Sequence, residues 1–221
     1  MNKKIKKIII AAGGTGGHVF PAYSLAKHFL NKNINVEIIS DERGLKYLQD
    51  YNDIKIIKIN TSTIFNKNIL RTFFSLFIVF NSAIRSFFFL LKDRPNLVFG
   101  MGGYSSFPIC IAAKLLGIPF IIYENNLYIG KANKYLLPYA KKIFVSHEQL
   151  QGIAEKYQKK VNVIGNIIRK EIINFGNTSS DESYKKLKIL ILGGSQAAKI
   201  FAEKLPEIFK KCKQAEISLK V

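Results

Sequence analysis

The chain has 221 residues, 48% hydrophobic and 22% charged, which excludes a disordered polypeptide and suits one large domain or two smaller ones. Its formal net charge of +19 is read in two ways, as the mark of an anionic partner (nucleic acid or membrane) or as a scattered lysine-rich composition, and no RNA-binding aromatic signature or zinc spacing supports nucleic acid. The two cysteines, Cys110 and Cys212, exclude a disulfide framework and predict reduced thiols in a cytoplasmic protein, and the N-terminal lysines lead into a glycine turn rather than a secretory signal.

Strands are predicted over 7–12, 35–40, 54–59, 96–99, 119–123, 142–145 and 161–164. Helices are predicted over 22–31, 42–51, 70–92, 106–116 and 147–157. The strands are continuous apolar runs, as strands covered on both faces are. Their alternation with helices predicts a doubly wound parallel α/β fold. Polar, turn-rich "NFGNTSSDESYKK" then reads as a linker. A second α/β unit opens with a strand over 187–192, a turn at Gly193-Gly194-Ser195, a helix over 196–212 and a last strand from 217. The expected organisation is a domain over 1–165, a linker over 166–186 and the incomplete start of a second domain over 187–221.

Three strands end in glycine turns, "AAGGTGGH", "FGMGGYSS" and "LGGSQAAK". Glycine lets backbone approach a ligand closely, and the following helix offers unpaired N–H groups to an anion. The first turn fits neither common nucleotide signature. Val19 stands where a dinucleotide fingerprint needs glycine, and His18-Val19 stand where a P-loop needs Gly-Lys. A tight turn with no ligand is the lesser alternative for one such motif, and three turns on one edge weaken it further. Pro21 fits just inside a helix start, where its missing N–H costs nothing. His18 sits where a helix N-terminus keeps an imidazole neutral, which makes it either a general base or a ring capping the turn. His28 and His147, mid-helix and at a helix start, suggest no chemistry.

The ordered motifs "GGTGGHVFPAYSLA", "GMGGYSSFP", "YENNLYIGKANK", "IGNIIR" and "LGGSQAAK" resemble the bacterial peptidoglycan glycosyltransferases of family 28, from about residue 8 to about residue 206. The resemblance implies a GT-B fold, a complete N-terminal Rossmann-like domain here with only the start of its second. It implies transfer of N-acetylglucosamine from the donor UDP-N-acetylglucosamine to the 4-hydroxyl of lipid I, giving lipid II with inversion. It implies no cofactor and no required metal. Thr15, Gly16 and Gly17 match the family's ligand-binding loop, and His18 matches the histidine proposed as base. Asn126, Arg169 and Ser195 match residues that contribute to substrate binding. Tyr123, Asn125, Ile167 and Ala197 depart from the family's histidine, glutamine, proline and glycine. The incomplete second unit keeps an alternative open, a relic or fragment lacking most of the donor site.

"LRTFFSLFIVFNSAIRSFFFLLKD" is long enough to raise the question of a membrane span. Arg71, Ser75, Ser82, Arg85, Ser86 and Asp93 fall in one narrow arc at 100° per residue, and Arg85 in mid-span is expensive in lipid. The expectation is a helix packed on the sheet, with more apolar surface than one sheet contact needs. Family members dock peripherally on the cytoplasmic face of the inner membrane. By resemblance, then, Phe73, Phe77, Phe80, Phe87, Phe88 and Arg85 meet an anionic membrane surface.

Overall fold

Seven apolar runs form seven strands: β1 (Lys7–Ala11), β2 (Asn35–Ser40), β3 (Lys55–Lys58), β4 (Leu97–Gly100), β5 (Phe120–Glu124), β6 (Lys142–Val145) and β7 (Val161–Val163). The computed structural model describes residues 5–61, 69–175, 191 and 198–215. All seven strands pair in parallel, in the order β3-β2-β1-β4-β5-β6-β7. In register, Ile10 of β1 lies opposite Ile38 of β2 and Phe99 of β4. Alternation along the strand then splits the core. Ile8 and Ile10 pack with Val19, Ala22 and Ala26 on one face, while Ile9 and Ala11 pack with Leu90, Ile109 and Leu136 on the other. The strand order reverses between β1 and β4, so their carboxyl ends flank the crevice where open α/β sheets bind ligands.

Helix α1 (Gly16–Leu30) starts six residues before the predicted one, at the end of the glycine turn. The predicted helix 42–51 contracts to α2 (Glu42–Leu45) and hydrogen-bonded turns, with Asp41 as its cap. Helix α3 (Ile69–Asp93) and helix α4 (Ser106–Leu115) follow their expectations to within a residue. The predicted helix 147–157 is not formed. Its backbone instead pairs with 127–129, where Ile129 N donates to the Gln151 carbonyl and Gln151 N to that of Leu127. Gly152 at φ +87 turns the chain into a 3-10 helix (Glu155–Lys160). Helices α5 (Lys131–Leu136) and α6 (Lys170–Phe175) are too short to show a period in sequence.

The chain divides into two compact units, Met1–Thr178 and Ser179–Val221. In the second, α7 (Ala198–Gln214) occupies most of the predicted helix. The predicted strands 187–192 and 217–221, and the turn with Ser195, lie outside the described residues except for position 191, which is in no strand.

Helix α3 exposes four of the five phenylalanines expected to face outward, and buries the serines of its polar arc. Ser75, Ser82 and Ser86, the polar arc, are buried, while Phe73, Phe74, Phe77, Phe80 and Phe88 are each 63–69% exposed. Helix α3 packs on α4. Ser86 Oγ donates to the Ser82 carbonyl and so needs no water. Phe87 departs from its fellow phenylalanines: it packs inward against the core, edge-on to Phe88. One turn of helix cannot point both neighbours the same way.

Candidate functional site

The carboxyl ends of β1, β2, β4 and β5 converge on the first glycine turn. Asp41, 4% exposed at the end of β2, takes the backbone N–H groups of Gly14 and Gly44 on one oxygen, each at 2.9 Å. Its other oxygen takes Arg43 at 3.1 Å and Thr61 at 3.4 Å. Burial pushes this carboxyl up, but the two N–H groups and Arg43 outweigh it and hold Asp41 below the usual carboxylate range. The second glycine turn locks into the first. A methyl on Gly103, at φ +75, would lie 2.5 Å from the Gly13 carbonyl oxygen. Part of the glycine content therefore serves turn-on-turn packing rather than a ligand.

What remains open is the start of α1. Thr15 is its extended N-cap residue and makes no side-chain cap, so its hydroxyl is uncommitted. Among the described residues nothing accepts from the Gly16 and Gly17 N–H groups, and Gly17 is exposed. This is the arrangement that receives an anion at a helix start.

His18 follows in the first turn of α1. Its Nδ1 is buried against Gly102, where any Cβ would lie 2.8 Å from the ring, and has no hydrogen-bond partner among the described residues. Burial pushes the imidazole below its ordinary pKa of 6.5. Glu124, the nearby Met101 backbone and Asp41 act the other way without cancelling it, and no aligned bond reaches Nδ1. The ring is held neutral with a carboxylate nearby, so it can accept a proton and have the resulting charge stabilised.

Glu124, 1% exposed, organises the next loop. It accepts from Asn126 N and Nδ2 at 3.1 and 2.7 Å, from Gly130 N at 2.8 Å and from Asn133 Nδ2 at 3.0 Å. Asn126 is thereby fixed and exposed, its carbonyl oxygen free to accept. Asn125 reaches across instead, donating to the Gly17 carbonyl at 2.8 Å. That carbonyl is available because Pro21 stands four residues on inside α1 and has no N–H to give it. The missing donor is therefore not costless at a helix start, as its position in sequence implied; it joins two loops.

Tyr123 fills the position where the sequence departs from the family's histidine. Its hydroxyl shares a 2.7 Å bond with Ser146, donates to the Gly165 carbonyl at 3.2 Å and accepts from Ile167 N at 3.3 Å. The chain after β7 is thus carried back over α1, where the Arg169 guanidinium lies 4.5 Å from the Phe20 ring centre. Thr15, Gly16, Gly17, His18 and Asn126 share one edge, and Arg169 covers the helix that begins there. Ser195 lies outside the described residues. Sequence reasoning missed Asp41 and Glu124 as site residues. The available signal was an acidic side chain ending a strand at the ligand-binding edge of the sheet.

Residues 8–145 match the glycosyltransferase family 28 N-terminal domain. The chain is 38% identical over 202 residues to the UDP-N-acetylglucosamine--N-acetylmuramyl-(pentapeptide) pyrophosphoryl-undecaprenol N-acetylglucosamine transferase of Rickettsia canadensis, covering 91% of this chain and 56% of that protein. It is 37% identical over 227 residues to the protein of the same name from Francisella philomiragia, covering 100% of this chain and 61% of that one. The crystal structure of Acinetobacter baumannii MurG superposes with a TM-score of 0.68 at 27% identity, over 93% of this chain and 57% of that one. The chain thus spans between half and two thirds of the length of the proteins it resembles.

Proposed function

The chain belongs to glycosyltransferase family 28, whose GT-B α/β architecture it carries in its first unit, and on that footing we propose that it forms the acceptor side of an N-acetylglucosaminyltransferase. The donor is UDP-N-acetylglucosamine and the acceptor is lipid I, the substrates that the names of its relatives indicate. The carrying observation is His18, neutral through burial, at an open helix start beside buried Glu124. Its Nε2 takes the proton of the acceptor 4-hydroxyl as that oxygen attacks C1 of the sugar and UDP leaves with the bonding electrons. Glu124 stabilises the imidazolium and fixes Asn126. The N–H groups of Gly16 and Gly17 with Thr15 receive an anionic group of the substrate, and Arg169 serves as a cation for phosphate.

The exposed aromatic face of α3 with Arg85 seats the protein on the cytoplasmic face of the inner membrane, where a lipid-linked acceptor lies. UDP release from UDP-N-acetylglucosamine on adding lipid I, lost in His18→Ala, is the expected result. Turnover unaffected by His18→Ala sinks the assignment of the base. The chain covers 54–61% of the relatives' length, and calorimetry with UDP-N-acetylglucosamine measures directly whether these residues bind the donor.

A further inference from the structure

Beneath α3, near the carboxyl ends of β2 and β3, lies a cavity of about 420 Å³. Ile39, Ile57, Ile59, Phe89 and Ile109 give it apolar walls, and Lys58, Asn60 and Arg85 give it a polar, cationic rim. Its volume falls in the range of small-ligand pockets. The pocket is half open, so its apolar walls are left to water unless an apolar group covers them. The two cations differ. Lys58 is taken up by Glu42 in an ion pair, whereas Arg85 has no ionic or hydrogen-bond partner among the described residues. Arg85 is exposed and lies next to Ile84 and one turn from Phe88, both exposed on the aromatic face of α3. A guanidinium thus stands where an apolar surface and an apolar cavity meet.

We propose that this cavity binds one acyl chain of an anionic phospholipid, with the lipid phosphate on Arg85. The inference rests on the reading of α3 as a membrane face, and it extends that reading from a surface to a defined lipid site. A planar guanidinium matches phosphate in both charge and geometry. The aromatic side chains explain adherence to a bilayer, but they do not explain a cation without a partner among the described residues over a half-open apolar pocket.

The test uses the whole chain with lyso-phosphatidylglycerol kept below its critical micelle concentration, followed by calorimetry. Saturable one-to-one binding is expected. Arg85→Gln weakens it about tenfold, as loss of a charge-assisted hydrogen bond does. Lyso-phosphatidylcholine binds more weakly than the anionic lipid. Ile57→Phe fills the cavity and abolishes binding. Should that variant fold poorly, an acyl-terminal diazirine on the same lipid replaces it and is expected to label residues 86–90 or 107–111. Labelling confined to residues 73–80 overturns the proposal. So does equal affinity for the zwitterionic lipid, or tighter binding of farnesyl phosphate, which assigns the cavity to an isoprenoid chain. Sedimentation with phosphatidylglycerol vesicles separates the two readings. Vesicle binding without lysolipid binding overturns the cavity site and leaves the membrane face standing, whereas loss of both removes the face as well.

Discussion

Gly103→Ala tests whether the glycine turns exist to interlock. The substitution adds two costs that a second glycine can separate. Gly103 has φ +75, and its new methyl would stand 2.5 Å from the Gly13 carbonyl oxygen and 3.2 Å from the carbonyl carbon. Both are backbone atoms, and Gly13 has little room to retreat. A Cβ on Gly13 itself would meet Ser105 Oγ at 2.2 Å, and its neighbour Gly14 is tied to Asp41. The left-handed φ costs an L-residue about 1–2 kcal/mol. Displacing packed backbone adds about 1–3 kcal/mol, as overpacking does. The expected loss is therefore about 2–5 kcal/mol. Gly117 provides the reference, with φ +68 and nothing within 4 Å of its ideal Cβ, so Gly117→Ala carries the first cost alone. Urea unfolding of the two variants, compared at equal slopes, measures the difference. Amide shifts over 13–18 should move in Gly103→Ala and stay in place in Gly117→Ala. Equal losses of stability would refute the interlock and return the glycines to a purely conformational role.

Because burial lowers the pKa of His18 below 6.5, the acid limb of kcat/KM should fall below that pH. The same depression means the unfolded chain binds more protons, so the stability contributed by neutral His18 is full above pH 6.5 and is lost as pH falls through the folded value; His18→Gln should flatten that slope of the urea midpoint, and an unchanged slope contradicts the burial effect. Phe73→Ser and Phe77→Ser remove side chains 68% and 64% exposed, and each should weaken partition onto phosphatidylglycerol vesicles about tenfold, the value of half-burying a phenylalanine. Their melting temperatures should not fall, and undiminished sedimentation with vesicles rejects α3 as the contact. Tyr123→Phe strips partners from Ser146 and Ile167 N, and should destabilise by about 1–3 kcal/mol while speeding amide exchange at Ile167. Exchange there at the wild-type rate would show that another contact holds the 165–169 segment.

The sheet was legible because its strands carry their own signal. Ile8 to Ile10 are apolar on both faces, and only a strand between two helical layers permits that. Elements whose form depends on distant partners were not legible. The 147–157 segment has helical composition, but its backbone groups are claimed by residues 127–129, about 20 positions earlier. Helix α3 was found to within a residue and with most of its phenylalanines outward, yet the burial of its serines was not. A hydrophobic period locates a stripe without saying what lies against it, and here the serine stripe is buried while most of the phenylalanines face outward.

The site divides along the same line. His18 could be placed from local sequence, since a glycine turn between a strand and a helix fixes its position whatever surrounds it. What suits it to the proposed role of base could not, because it is buried against Gly102 and its nearby carboxylate is Glu124, 84 and 106 residues away in sequence. Pro21 and Asn125 carry this further. Alone, Pro21 is a defect inside a helix and Asn125 is a departure from the family's glutamine. Together they form one device, in which the proline withholds an N–H from Gly17 and the asparagine supplies one from β5's loop. The glycine loop that presents Gly16, Gly17 and His18 is thereby tied to the loop that presents Asn126. A shift of either loop is transmitted to the other through one carbonyl, so His18 and Asn126 are positioned as a pair.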